Sequence, residues 1–356
     1  MTTLFDDYEF AGIKLPNRVV MAPMTRVRSG AEGLATPSMA AYYAQRASAG
    51  LLISEGVQPN LVGQSNPLTP GLYTEQQTES WRQVTAAVHA NGGRIFAQLM
   101  HGGRISHSDT TGLQPVGPSA VAARGAMVFS PTGPQPAPVP RELTTTEVGE
   151  QAGSYADAAV NAIAAGFDGV ELHGANGYLI AQFLSSNANL RSDRYGGDIA
   201  GRIRFAVEAV KGAVAAIGAD KVGIRLSPGA GIWDAIDQDV PELYGALLAE
   251  LAPLGLAYVH LEASTDEDTL VGLRRAWPGT LIVNPSKPDG PVPTDRAAAE
   301  HWLSLGADLI SFGRAFIGNP DLVERLRASL PIQEAGREVY FEGGDQGYIT
   351  YTSYQY

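Results

Sequence analysis

Short apolar runs recur along the chain, each bounded by turn-forming residues, and none shows the polar alternation of a half-exposed strand. They lie at 18–23, 51–56, 94–99, 169–173, 222–227, 257–263, 281–284 and 309–314. Strands apolar on both faces are what a parallel sheet covered by helices requires. Between most of these runs lie stretches with helical spacing. The clearest opens with Thr144 and Glu147, placed as a capping box, then sets Val148, Ala152, Tyr155, Ala159 and Ile163 on one face and ends at Gly166. Strand then helix, repeated eight times, predicts an α/β fold of the TIM (β/α)8 barrel type, since doubly wound sheets usually stop short of eight strands.

One interval, 102–143, breaks the repeat. It is rich in Pro, Gly, Ser and Thr, with a β-like run at 126–129, and reads as a long insertion after the third strand. Two fates are open to it: a cap over the barrel mouth, or a surface excursion. The chain's 356 residues are expected to form one barrel domain spanning 1–356. With 44% hydrophobic and 17% charged residues, it falls outside the disordered class.

A net charge of −12 argues against nucleic acid or an anionic membrane surface as a partner. The absence of cysteine removes disulfides, thiolate nucleophiles and Cys-held iron–sulfur clusters or zinc, so redox work would rest on a bound organic cofactor. Of the six histidines only His173 falls at a strand end beside another polar group, and no metal site is expected. Acidic Asp6, Asp7 and Glu9 do not form a secretory signal, and no apolar run reaches membrane-spanning length. A soluble, cytoplasmic protein is expected.

In such barrels the active site lies at the C-terminal ends of the strands. There the sequence offers Pro23, Met24 and Thr25, then Glu55 and Gly56, Gln98, His173 and Asn176, Arg225, and finally Gly313 and Arg314. Two arginines, an amide, an imidazole and a glycine-bearing turn suit an anionic, hydrogen-bonding ligand such as a phosphorylated cofactor. The turn 311–314, ahead of a helical run at 321–330, is where barrels commonly hold phosphate. In the stretch 173–178, His173 and Asn176 can converge on one carbonyl oxygen and Tyr178 can supply a proton. Taken singly, each has a plainer reading: a histidine satisfied in the core, a tyrosine packed on a turn.

Taken together, these residues resemble the old yellow enzyme family, from Leu4 almost to the last few residues. Leu15-Pro16-Asn17-Arg18 and Met21-Ala22-Pro23-Met24-Thr25-Arg26 resemble its first strand and flavin loop. The run 173–184, followed by Asn189, Arg191, Asp193 and Tyr195-Gly196-Gly197, resembles its central signature. The resemblance implies FMN over the barrel mouth, with Pro23, Met24 and Thr25 along the isoalloxazine ring. Thr25 stands where the family's other main branch has a cysteine. Gly56 and Gln98 would meet the ring's polar edge, Arg225 its pyrimidine side, and Gly313 and Arg314 the phosphate. The implied activity is that of an ene-reductase: NADPH or NADH reduces FMN, and hydride passes from flavin N5 to the β-carbon of an α,β-unsaturated carbonyl compound. His173 and Asn176 would grip its carbonyl and Tyr178 would protonate the α-carbon.

Several positions depart from that pattern. Asn284-Pro285-Ser286-Lys287-Pro288 replaces a glycine-bearing turn; Asn284 is still expected among the cofactor contacts, although Pro285 lacks an N–H. Met100 stands where tryptophan is frequent and is expected to shape the substrate pocket. The segment at about 340–356 is rich in aromatics, and its run 343–348 resembles a loop that closes the pocket, which makes Tyr348 an expected wall. Two other functions remain open: a flavin barrel that isomerises or oxidises a biosynthetic intermediate, and a flavin-binding protein without turnover. So do two assembly states, monomer and homodimer.

Overall fold

The computed structural model describes residues 2–285, 294–341 and 344–354. Eight parallel strands close into a barrel: β1 (Val19–Met21), β2 (Leu51–Val57), β3 (Ile95–Leu99), β4 (Gly169–Gly174), β5 (Val222–Leu226), β6 (Tyr258–Glu262), β7 (Leu281–Asn284) and β8 (Leu309–Phe312). Pairing of Ile310 with Val19 closes the ring. Each expected run holds one of these strands; 281–284 matches its strand end to end, and the others differ by a residue or two at their ends. Around them lie α1 (Pro37–Ala44), α2 (Glu75–Ala90), α3 (Thr145–Ala164), α4 (Ile199–Ile217), α5 (Val240–Leu251), α6 (Glu267–Ala276), α7 (Arg296–Ser304) and α8 (Leu322–Ala328).

Helix starts follow from their caps. Thr144 accepts from the Glu147 amide while the Glu147 carboxylate accepts from the Thr144 amide, so α3 begins with the capping box its sequence announces. Its buried face is Val148, Ala152, Tyr155, Ala158, Ala159 and Ala162; Ile163, expected there, is only half-buried. The face combines small residues with Tyr155, whose ring meets Phe205 of α4 at 6.4 Å.

Inside the barrel, the end nearer the strand N-termini is apolar. Val20, Ile53, Phe96, Tyr258, Ile282 and Leu309 pack around Phe10 and Leu15 of an N-terminal hairpin, Tyr8–Phe10 with Ile13–Leu15. The rings of Phe10, Phe96 and Tyr258 meet at 5.7 to 5.8 Å. Gly169 and Gly223 make room for them: a Cβ at either would lie 2.5 Å from the Phe96 or Tyr258 ring. The side-chain period of a strand is two, so the next inward position belongs to the layer above. There Gln98 follows Phe96, His260 follows Tyr258, Asn284 follows Ile282 and Ser311 follows Leu309.

The insertion resolves into a short helix, Ser108–Thr111, a paired bridge of Val116–Gly117 with Arg141–Glu142, and an antiparallel hairpin, Met127–Ser130 with Gly133–Pro136. Ile105, Ala123, Ala126 and Val128 form its own small core, joined by Tyr178 and Trp233 from the barrel mouth. The insertion is therefore a cap. No helix among the described residues is long and apolar enough to cross a membrane.

Candidate active site

At the C-terminal ends of the strands opens a cavity of about 850 Å³, within the size range of small-molecule and cofactor sites. Pro23, Met24 and Thr25 line it from the loop after β1, Gln98 and Met100 from β3 and its end, Asn176 and Tyr178 from the turn after β4, and Arg314 from the turn after β8. His173 and Arg225 face it from neighbouring strands, on which they are paired in register. Val128, Phe129 and Ser130 of the insertion hairpin complete the outer wall with Tyr340 and Phe341.

Beneath these groups runs a buried chain of hydrogen bonds. Gln98 Nε2 donates to Glu171 Oε1 at 2.8 Å, Glu171 Oε2 meets His260 Nδ1 at 2.8 Å, and His260 Nε2 meets Ser311 Oγ at 2.8 Å. A second chain holds the arginine. Arg225 Nη2 donates to Glu262 Oε2 at 3.1 Å and Asn284 Oδ1 at 2.8 Å, and Asn284 Nδ2 donates to the Ser311 carbonyl at 3.1 Å. The register that sets Glu171 beside Gln98 and Glu262 beside Asn284 builds both chains.

His173 is buried, and burial foremost, followed by the Arg225 and His260 charges, holds its pKa well below the usual histidine value. The imidazole is neutral at pH 7 and can donate one N–H without carrying charge. Asn176 sits at φ 55°, a left-handed conformation that asparagine tolerates better than most residues, with its backbone N–H donating to Ser227 Oγ at 2.8 Å. Gly177 is required: its φ is +72°, and a Cβ would lie 2.3 Å from the Ile232 carbonyl oxygen. This close approach seats Trp233 in the cavity wall beside Tyr178.

Tyr178 stands 5.1 Å from His173, ring to ring. Burial raises its pKa, with the Trp233 indole opposing, so the phenol keeps its proton throughout the neutral range.

Four buried atoms of wall residues have no protein partner: Arg26 Nη1 on the loop after β1, and His173 Nδ1, Asn176 Oδ1 and Arg225 Nε together on β4, the turn after it and β5. An unsatisfied buried polar group costs about 1–3 kcal/mol, so three of them on one cavity wall mark a seat for a ligand with a hydrogen-bonding edge. Among the described residues no group of three or more His, Cys, Asp or Glu side chains could hold a metal ion.

Other expected residues are placed elsewhere. Gly56 does not line the cavity; a Cβ there would lie 2.6 Å from Met100 Sδ, so the glycine lets Met100 pack against β2. Asn284 is likewise off the wall, engaged with Arg225 and Ser311, and Ser286, Lys287 and Pro288 lie outside the described residues. Gly313 precedes a five-residue helix, Arg314–Gly318, so the turn after β8 opens onto this helix and not onto the later one at 321–330.

Tyr348 is not a pocket wall. Its ring is fully buried, stacked on Tyr42 at 4.2 Å, with the Arg26 and Arg28 guanidiniums 5.1 and 4.7 Å from its centre. The same arginines bind the C-terminal segment through its carbonyls: Arg26 donates to Tyr340 and Val339, Arg28 to Val339 and Gly344. The strap so formed brings Tyr340 and Phe341 to the mouth, where Phe341 meets Phe129 of the hairpin at 5.9 Å.

Sequence reasoning passed over Glu171, His260 and Glu262, although a charged or titratable side chain inside a buried apolar strand is itself a signal. Trp233 and Phe341 carried no such mark, since only the folded loops bring them to the cavity.

Comparison with known proteins agrees over the whole chain. The model of the NADH:flavin oxidoreductase / NADH oxidase family matches residues 3–333. A rice (Oryza sativa subsp. japonica) protein named 12-oxophytodienoate reductase 7 is 38% identical over 99% of this chain and 94% of its own length. A probable flavin mononucleotide-dependent alkene reductase of Leishmania infantum is 37% identical over 96% of this chain and 94% of its own. Among solved structures, morphinone reductase in complex with tetrahydroNAD superposes with a TM-score of 0.95 at 38% identity, covering 100% of this chain and 98% of that one. The old yellow enzyme homologue from Zymomonas mobilis gives 0.94 at 37% identity, with 99% of each chain covered. A barrel of this topology, a mouth lined as described and matches of this extent lead to one assignment: the chain belongs to the NADH:flavin oxidoreductase / NADH oxidase family, that of the old yellow enzymes.

Proposed function

We propose that the protein is an FMN-dependent ene-reductase that uses NADPH or NADH to reduce the activated C=C bond of α,β-unsaturated carbonyl compounds. The observation that carries this reading is the neutral His173, with Nδ1 unpartnered, beside Asn176 on the cavity wall, and a protonated Tyr178 next to them. The residues fit FMN: Pro23, Met24 and Thr25 would run along its ring, Gln98 and Arg225 would meet its polar edge, and Arg314 its phosphate. Thr25, where the other main branch has a cysteine, supports a place in the branch without the flavin-site cysteine. What bound FMN supplies is hydride transfer, taken from the nicotinamide and given to the substrate β-carbon.

The chain's own residues do the rest. His173 and Asn176 donate to the substrate carbonyl oxygen, and because the imidazole is neutral its hydrogen bond strengthens as enolate charge grows. Tyr178 delivers the proton to the α-carbon, a role that needs a phenol still protonated at working pH. The hairpin and the C-terminal strap narrow the mouth and limit water.

The test is an absorption spectrum of the purified protein, followed anaerobically by NADPH and then 2-cyclohexenone. Flavin bands that bleach with NADPH and return with the enone are expected. Protein without bound flavin would overturn the proposal, and bleaching without enone-driven return would favour a flavin barrel that isomerises or oxidises its substrate.

A further inference from the structure

We infer that Glu262 is a tuning residue: by neutralising Arg225 it holds the reduction potential of the bound cofactor down and makes its reduced form a stronger hydride donor. This rests on the FMN reading above and extends it to a residue behind the cavity wall.

Arg225 is buried and lines the cavity, yet it is not a free cation. One edge of its guanidinium, at Nη2, is bound to Glu262 at 3.1 Å and to Asn284 at 2.8 Å, while Nε is without a protein partner. The arginine thus has one side for a ligand and the other for a carboxylate. Of the two carboxylates on the neighbouring strands, Glu171 is taken up by Gln98 and His260, so the charge balance at the Arg225 guanidinium is set by Glu262.

The balance matters because hydride brings two electrons and one proton, so FMN that accepts it from NADPH, releasing NADP⁺, becomes an anion. An unopposed arginine at the pyrimidine side would favour that anion and raise the potential. A carboxylate on the same guanidinium opposes the effect, and in a site of low dielectric it does so strongly. Asn284 holds Nη2 independently, so the position of Arg225 does not depend on the Glu262 charge.

Glu262→Gln keeps a hydrogen-bond acceptor and removes the charge; Glu262→Asp keeps the charge. The measurement is the midpoint potential of the FMN-loaded protein by anaerobic dye-coupled titration, with reductive and oxidative half-reactions followed by stopped flow. Glu262→Gln is expected to hold reduced FMN about tenfold more tightly relative to oxidised FMN, a rise of about 30 mV for a two-electron couple. Reduction by NADPH should quicken and reoxidation by 2-cyclohexenone should slow, while Glu262→Asp stays near the parent value. An unchanged potential in Glu262→Gln, or an equal shift in both variants, would overturn the inference and leave the ene-reductase reading standing. Failure of the parent protein to bind FMN would overturn both.

Discussion

Phe96, Tyr258, Ile282 and Leu309 surround Phe10 in the lower part of the barrel, and two residues further along the same strands stand Gln98, His260, Asn284 and Ser311. The lower layer is held by close-packed rings, with glycines at 169 and 223 cut to receive them. The upper layer is held by hydrogen bonds from strand to strand, and the cavity wall above it retains polar atoms that no protein group satisfies. A parallel barrel can carry such a layer because neighbouring strands bring complementary groups into register. The unsatisfied atoms are a stability cost accepted where a ligand is to bind.

If that division is right, the two layers respond to substitution in opposite ways. The largest expected effect is on rate. His173→Ala or Asn176→Gly, the latter chosen because Ala would be strained at φ 55°, each removes a donor aimed at the carbonyl. Turnover of 2-cyclohexenone should fall by about 10²-fold or more for either variant. Denaturation midpoints should barely move, since His173 Nδ1 and Asn176 Oδ1 have no protein partner to lose. A large loss of stability with little loss of rate would reverse the assignment.

In the lower layer, Phe10→Ala opens a cavity between the Phe96 and Tyr258 rings and should cost about 3–5 kcal/mol in chemical denaturation. Activity per folded, FMN-loaded molecule should be unchanged.

A smaller effect separates a third kind of buried group. Glu55 lies on β2 among Arg26, Arg28, Tyr43 and Tyr348, and burial, against the Arg26 amide and charge, raises its pKa to about 7. The folded protein therefore binds this proton more tightly than the unfolded chain does. The contribution is fully present below about pH 4.5 and is lost as pH rises through about 7. Glu55→Gln mimics the protonated acid, so it should be near neutral at pH 5 and stabilising by up to about 3 kcal/mol at pH 8.5. Equal effects at both pH values would show that Glu55 does not titrate in this range.

Much of the fold was legible because it follows from local rules. A buried strand of a covered sheet has to be apolar on both faces, and the Thr144 to Glu147 spacing fixes a helix start. The inner wall of the site was legible for a similar reason, since residues at strand ends point to the mouth wherever the barrel closes. Contacts that need two distant segments were not. Tyr348 was expected at the pocket because its neighbours in sequence resemble a closing loop, but the cations of Arg26 and Arg28 draw the ring into a stack with Tyr42. Gly56 stands at a strand end as the wall residues do, and only the folded barrel shows that its missing Cβ makes room for Met100. Glu262 acquires meaning only when β5, β6 and β7 lie side by side.

The central claim is that the cavity is a seat for carbonyl activation and protonation, and Tyr178→Phe tests it most directly. The phenylalanine keeps the ring beside His173 and Trp233 and removes the hydroxyl that would carry the proton. In stopped flow, reduction of the bound flavin by NADPH should be unchanged, while its reoxidation by 2-cyclohexenone should slow by about 10²-fold or more. An unchanged reoxidation rate would contradict the account, because the proton would then come from another source.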